Sequence, residues 1–149
     1  MSRIPAVPLC LGLAGLIPFL WGALSVLVPS LALWGAEVLG ARFVGPYVSL
    51  AYGAVILAFM SGVLWGFATK AHGRQAAICY TLSVLPALWA FFGSGGGPRT
   101  AGANLAAGFL ALLLLDRHFV REGLAPDWWM PLRGLLTAVV VLCYLPIVL

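Results

Sequence analysis

Five stretches of the chain carry no charged residue: residues 4–36, 43–69, 75–98, 100–115 and 134–149. A helix needs about 20 apolar residues, at about 1.5 Å each, to cross a hydrocarbon core of about 30 Å. The first three stretches exceed that length. The fourth reaches it by continuing through Arg117, His118, Phe119 and Val120, whose long or amphipathic side chains extend to the headgroups. The fifth reaches it by starting at Trp128, with Arg133 snorkelling toward water. An all-α, polytopic bundle of five transmembrane helices follows, near residues 8–29, 47–69, 75–93, 100–122 and 128–148. It forms a single integral membrane domain over residues 1–149. Composition agrees: 63% of the 149 residues are hydrophobic and 8% are charged, against about 25% charged in a soluble domain. A soluble enzyme, a disordered tail and a nucleic-acid-binding domain are excluded. The first apolar stretch is also longer than a signal-peptide core of about 7–15 residues, so it is read as a retained span.

The cations set an expected orientation. With five spans, the N-terminus and the second and fourth loops share one side. That side holds Arg3, Lys70, Arg74, Arg117, Arg121 and Arg133, leaving Arg42 and Arg99 of the eight Lys and Arg on the other. Cytoplasmic loops collect Lys and Arg, so the N-terminus is expected inside and the C-terminus outside. The formal net charge of +4 is then a topology signal, with no basic groove for nucleic acid.

Local punctuation fits the same division. Pro5 and Pro8 stand where a helix enters the membrane, and Pro29 and Ser30 close the first span. Residues 31–44 are too short and too polar to cross. With Trp34, Val38 and Phe43 set among Glu37 and Arg42, they are expected to lie along the outer interface. Residues 94–97 form a flexible turn, Gly123 is a natural end for the fourth helix, and Asp127 is placed to cap the fifth through its carboxylate.

Small residues suggest how the helices meet. Ala54, Ala58, Gly62 and Gly66 recur every four residues in the second span and form one stripe. Such stripes let helix backbones approach closely where lipid removes the hydrophobic drive. The favoured reading is packing within the monomer, with Leu57 facing lipid; a dimer or partner groove is the other. Ala103, Ala107 and Ala111 make a second stripe on the fourth span, with Gly108 beside it. Pro18 and Pro86 should kink the first and third spans, with Ser25 and Ser83 near enough to bond the freed backbone groups.

Chemistry needs titratable groups, and the central part of every span lacks Asp, Glu, Lys, Arg and His. Pumps and ion-coupled carriers ordinarily hold such residues at depth. Asn104, the deepest strongly polar side chain, is read as a helix–helix hydrogen bond. His72 and His118 map to the inner surface without the ligand spacing of a metal or haem site. Cys10, Cys79 and Cys143 read as small buried apolar side chains. No catalytic residue, metal ligand or cofactor site is expected.

The inner surface carries the one candidate binding site. Arg117 and Arg121, at i and i+4, repel unless an anion shares them. With Lys70 and Arg74 in the adjacent loop they could seat an anionic headgroup such as cardiolipin. The bland reading is ordinary positive-inside topology with an aromatic belt. Asp116, at the membrane boundary, is expected to pair with a neighbouring arginine.

Several stretches resemble a known family. They are Leu11 to Phe19 (LGLAGLIPF), Tyr52 to Phe59 (YGAVILAF) followed by Trp65-Gly66, and Ser83-Val84-Leu85-Pro86. A fourth runs from Asp116-Arg117 to Gly123-Leu124-Ala125-Pro126 and Trp128. In this order they are similar to an uncharacterised bacterial family related to mitochondrial transmembrane protein 69. The resemblance implies a small multi-pass protein of the bacterial or mitochondrial inner membrane and brings no activity, cofactor or catalytic residue; the bacterial inner membrane is the expected location. Three function classes remain. The favoured one is a non-catalytic accessory, assembly or scaffold protein that packs on a larger inner-membrane complex, on its own copies or on anionic lipid. A small carrier or channel rests on the prolines alone. A quinone-binding or membrane-enzyme module rests on Trp65, Trp89, Phe91 and Phe92.

Overall fold

A computed structural model describes residues 3–149, and every regular element in that range is helical. The helices are α1 (Ala6–Ala14), α2 (Ile17–Leu27), α3 (Pro29–Leu39), α4 (Gly45–Ala68), α5 (Gly73–Gly93), α6 (Pro98–Arg121) and α7 (Trp129–Val148), with a 3-10 turn at Ala41–Phe43. Five segments are long and apolar enough to cross a membrane: α1 with α2 (Ala6–Leu27), then α4, α5, α6 and α7. The protein is therefore the five-span helical bundle that its uncharged stretches imply.

Each break has a local cause. The first span is interrupted at Gly15 and Leu16, where the Leu16 N–H turns back to the Leu13 carbonyl at 3.1 Å. Pro18, two residues on, has no N–H to continue the ladder and sits in the first turn of α2. Pro86 stays inside α5, and the N–H of Ala87 beside it donates to Ser61 Oγ of α4 at 2.8 Å. The expected local partners do other work. Ser83 bonds the Tyr80 carbonyl, while Ser25 bonds the Trp21 carbonyl and accepts the Gly45 N–H at 2.7 Å, clamping the end of α2 to the start of α4. Residues 31–44 fold as most of α3 and the 3-10 turn. The segment is too short to span and is held by Trp21, whose indole donates to the Phe43 carbonyl at 2.7 Å and meets the Trp34 ring edge-on. Gly123, at φ +71°, ends α6, and the Leu124 N–H reaches back to the Phe119 carbonyl. Asp127 does not cap α7; Trp128 occupies the cap position, and the Pro126 carbonyl takes the Trp129 N–H instead.

Helix α4 is the hub. It packs against α2, α5 and α6; α6 packs on α7, and α7 closes back onto α2. The helices meet around Phe19, Leu57, Leu64, Leu105, Phe109, Leu112 and Tyr144, all at most 2% exposed. Phe19 makes edge-to-face contacts with Tyr52, Phe109 and Tyr144 at centroid distances of 5.2–5.9 Å, each worth about 0.5–1.5 kcal/mol beyond area.

The closest crossings use isolated glycines. A Cβ on Gly53 would overlap the Tyr144 hydroxyl, which donates to the Ser49 carbonyl at 2.8 Å; a Cβ on Gly22 would overlap Ser49 Oγ. Gly108 lies under the Trp89 indole and Leu57. The stripe expected to pack inside the monomer does not do so. Ala58, Gly62 and Gly66 are exposed, a Cβ on either glycine would meet nothing within 4 Å, and only Ala54 touches the core. The buried face of α4 runs instead through Gly53, Leu57, Met60, Ser61, Leu64 and Ala68. Leu57, read as lipid-facing, is 0% exposed. One residue of rotation, about 100° of helix, separates the two faces. Ala103, Ala107 and Ala111 also face outward.

Candidate functional site

The strongest polar feature lies between α6 and α7. Asp116 occupies the buried stripe of α6 that includes Leu105, Phe109, Leu112 and Phe119, so its carboxylate points at α7. There the Arg133 Nε donates to Asp116 Oδ2 and the Trp129 Nε1 donates to Oδ1, both at 2.7 Å. Asp116 is 0% and Arg133 5% exposed. Two expectations are thereby corrected. Asp116 pairs with Arg133 across the helices, since Arg117 and Arg121 leave α6 on its exposed face. Arg133 does not snorkel to water, because a carboxylate lies within reach inside the protein. Removing one partner of a buried pair costs about 3–5 kcal/mol, so the pair ties α6 to α7.

The pair is not closed on itself. Among the described residues, Arg133 Nη2 and Thr137 Oγ1, one turn deeper on α7, are buried without a hydrogen-bond partner. Arg133 and Thr137 are among the residues that line a cleft of about 590 Å³ bounded by α1, the Gly15–Leu16 break, α4 and α7. Phe19 and Phe109, both nearly fully buried, form part of its wall, and Trp128, Trp129 and Arg133 line it at the start of α7. The break in the first span helps make this space. Helix α1 has no buried residue of its own and rests on α7 through Gly12 against Leu132 and Leu136.

The four residues of the expected basic cluster do not converge on one cavity. Arg117 and Arg121 share a surface cavity with Leu114, His118 and Glu122. Lys70 is elsewhere, donating to the Leu124 carbonyl at 2.9 Å with its ammonium 5.4 Å from the Phe67 ring, and so ties α4 to the α6–α7 loop. Arg74 is exposed at the start of α5. Gln75 donates to Glu122 at 2.7 Å, which sets an acidic group beside the arginine pair.

Other candidates are placed as follows. Asn104 joins α6 to α5, its side chain donating to the Gly93 carbonyl and its backbone carbonyl accepting the Trp89 indole N–H. Trp65 meets Tyr80 in a tilted ring contact with centroids 4.7 Å apart, and Phe91 and Phe92 are exposed. Cys79 and Cys143 are buried, whereas Cys10 is exposed on α1. His72 starts α5, and His118 lies on the α6 rim.

Five apolar helices, with a buried ion pair between α6 and α7, define a small multi-pass membrane protein. Within that class the chain belongs to the family described as protein of unknown function DUF3429, whose model matches residues 4–149. It is 32% identical over 143 residues to Transmembrane protein 69 of Xenopus tropicalis. The alignment covers 95% of this chain and 53% of that protein, so the chain spans about half the length of its curated relative. No solved structure matches it.

Proposed function

We propose that this is a non-catalytic accessory or scaffold protein of the bacterial inner membrane, N-terminus inside and C-terminus outside, which docks a transmembrane helix of a larger complex against α4. The observation that carries this reading is the outward stripe Ala58, Gly62 and Gly66, with open space over both glycines. Glycine inside a helix costs about 0.8–1 kcal/mol relative to alanine, and nothing in the monomer needs it there. Val55, Phe59 and Trp65, all at least half exposed, border the stripe as ridges beside a shallow trough. Backbone-to-backbone approach of a second helix suits such a face.

The test is site-specific photocrosslinking from Gly62 in intact membranes, followed by purification in gentle detergent. A stoichiometric adduct with another membrane protein is expected, and Gly62→Leu should abolish it while the monomer unfolds as before. Adducts with lipid alone would defeat the scaffold reading, and adducts with a second copy would turn it into a homodimer. For the orientation, a reporter fused after Leu149 should be active only outside the cytoplasm. A second reading, an anionic headgroup on Arg117 and Arg121, is favoured by the cavity they share.

A further inference from the structure

We infer that the cleft between α1, α4 and α7 is a binding site for an uncharged, membrane-borne amphiphile with a carbonyl oxygen in its head, seated on Arg133 Nη2 and Thr137 Oγ1. Two independent features meet here. One is a cleft of about 590 Å³, within the usual range of about 300–1,000 Å³ for small-molecule pockets. The other is a pair of polar atoms without a partner, Arg133 Nη2 and Thr137 Oγ1, on side chains at least nine-tenths buried whose residues line the cleft. A buried donor left unbonded is destabilising, and a ligand oxygen would satisfy it.

The chemistry of the head follows from Asp116. Its carboxylate accepts from Arg133 Nε and neutralises the guanidinium, so the site offers N–H and O–H groups without net positive charge. An anionic headgroup would lose its hydration there with no free counter-charge to replace it. A carbonyl oxygen loses less and accepts directly from Nη2, with the Thr137 hydroxyl as a second donor. The rest of the molecule must be apolar, because the remaining wall is almost wholly apolar, with Leu11, Ile56, Met60, Val63, Leu136 and Val140 among its residues. Depth agrees. Arg133 lies four residues into α7 and Thr137 eight, about 6 and 12 Å from its start, below the headgroups and at the top of the hydrocarbon. Two uncharged membrane components share this chemistry, isoprenoid quinones and diacylglycerols.

Native mass spectrometry of the full chain, released from nanodiscs doped in parallel with ubiquinone, diacylglycerol or phosphatidylglycerol, tests the site. One bound quinone or one bound diacylglycerol is expected, and the arm that binds identifies the source. Thr137→Val keeps the shape and removes the hydroxyl, and Arg133→Lys keeps the charge opposite Asp116 but removes Nη2. Each should lower retention about tenfold, one hydrogen bond's worth, and Ile56→Trp should block entry while Asp116 and Arg133 stay paired. Circular dichroism melting of the same variants separates lost binding from lost fold. Retention of neither neutral ligand by the wild type, equal retention in all variants, or preference for phosphatidylglycerol would overturn the assignment.

Discussion

Asp116 and Arg117 are neighbours on α6, yet about 100° of helix rotation puts them in different surroundings. Asp116 is fully buried and bonded through both oxygens, whereas Arg117 is exposed on the rim of a surface cavity. Helix α4 repeats the contrast with small residues. Gly53 lets the Tyr144 hydroxyl reach the Ser49 carbonyl, while Gly62 meets open space. Groups turned inward decide how the helices assemble; groups turned outward are left for lipid or for other proteins. Side-chain type alone does not separate the two.

That contrast can be broken most severely at Asp116. Asp116→Asn strands the Arg133 charge in a dry site and should cost about 3–5 kcal/mol of stability, read as an earlier midpoint in unfolding by SDS titration. Helix α4 should give the next largest effect. Leu57→Ala should cost about 2–5 kcal/mol, whereas Gly62→Leu, one stripe away, should leave the monomer within about 0.5 kcal/mol of wild type. Equal losses at the two positions would mean that both faces of α4 are packed in the protein as purified. The smallest effect belongs to the exposed arginines. Arg117→Gln with Arg121→Gln should leave the melting profile unchanged and weaken retention of cardiolipin, by about 1 kcal/mol per cation. Unchanged cardiolipin retention would reduce the arginine pair to a topology signal.

Much of the scaffold was legible because the bilayer imposes its own ruler. The five apolar stretches, the non-spanning residues 31–44, the Gly123 terminus and the Asn104 bridge follow from length, charge and turn chemistry. The inward faces were harder to read, for a physical reason. In lipid both faces of a span are apolar, so hydrophobic periodicity carries little information and regular small-residue spacing is the main pattern left. The crossings here need one glycine each, at Gly22, Gly53 and Gly108, and isolated glycines form no pattern. The ion pair did leave a signal. Asp116 continues the spacing of Leu105, Leu112 and Phe119, and Arg133 stands in step with Thr137, Val140 and Tyr144. A charge in phase with a span's buried positions marks an internal partner, although near a span end the same charge also suits snorkelling.

The central claim is that Asp116 and Arg133 act as one buried unit joining α6 to α7. A double-mutant cycle in SDS-titrated unfolding tests it most directly, with Asp116→Leu, Arg133→Met and the two combined. Each single change leaves one charge unpaired and should cost several kcal/mol. The combined change replaces the pair with apolar side chains, an exchange that is often neutral or stabilising. The double variant should therefore lie closer to wild type than either single variant does. A double variant as destabilised as the sum of the two singles would contradict the pairing.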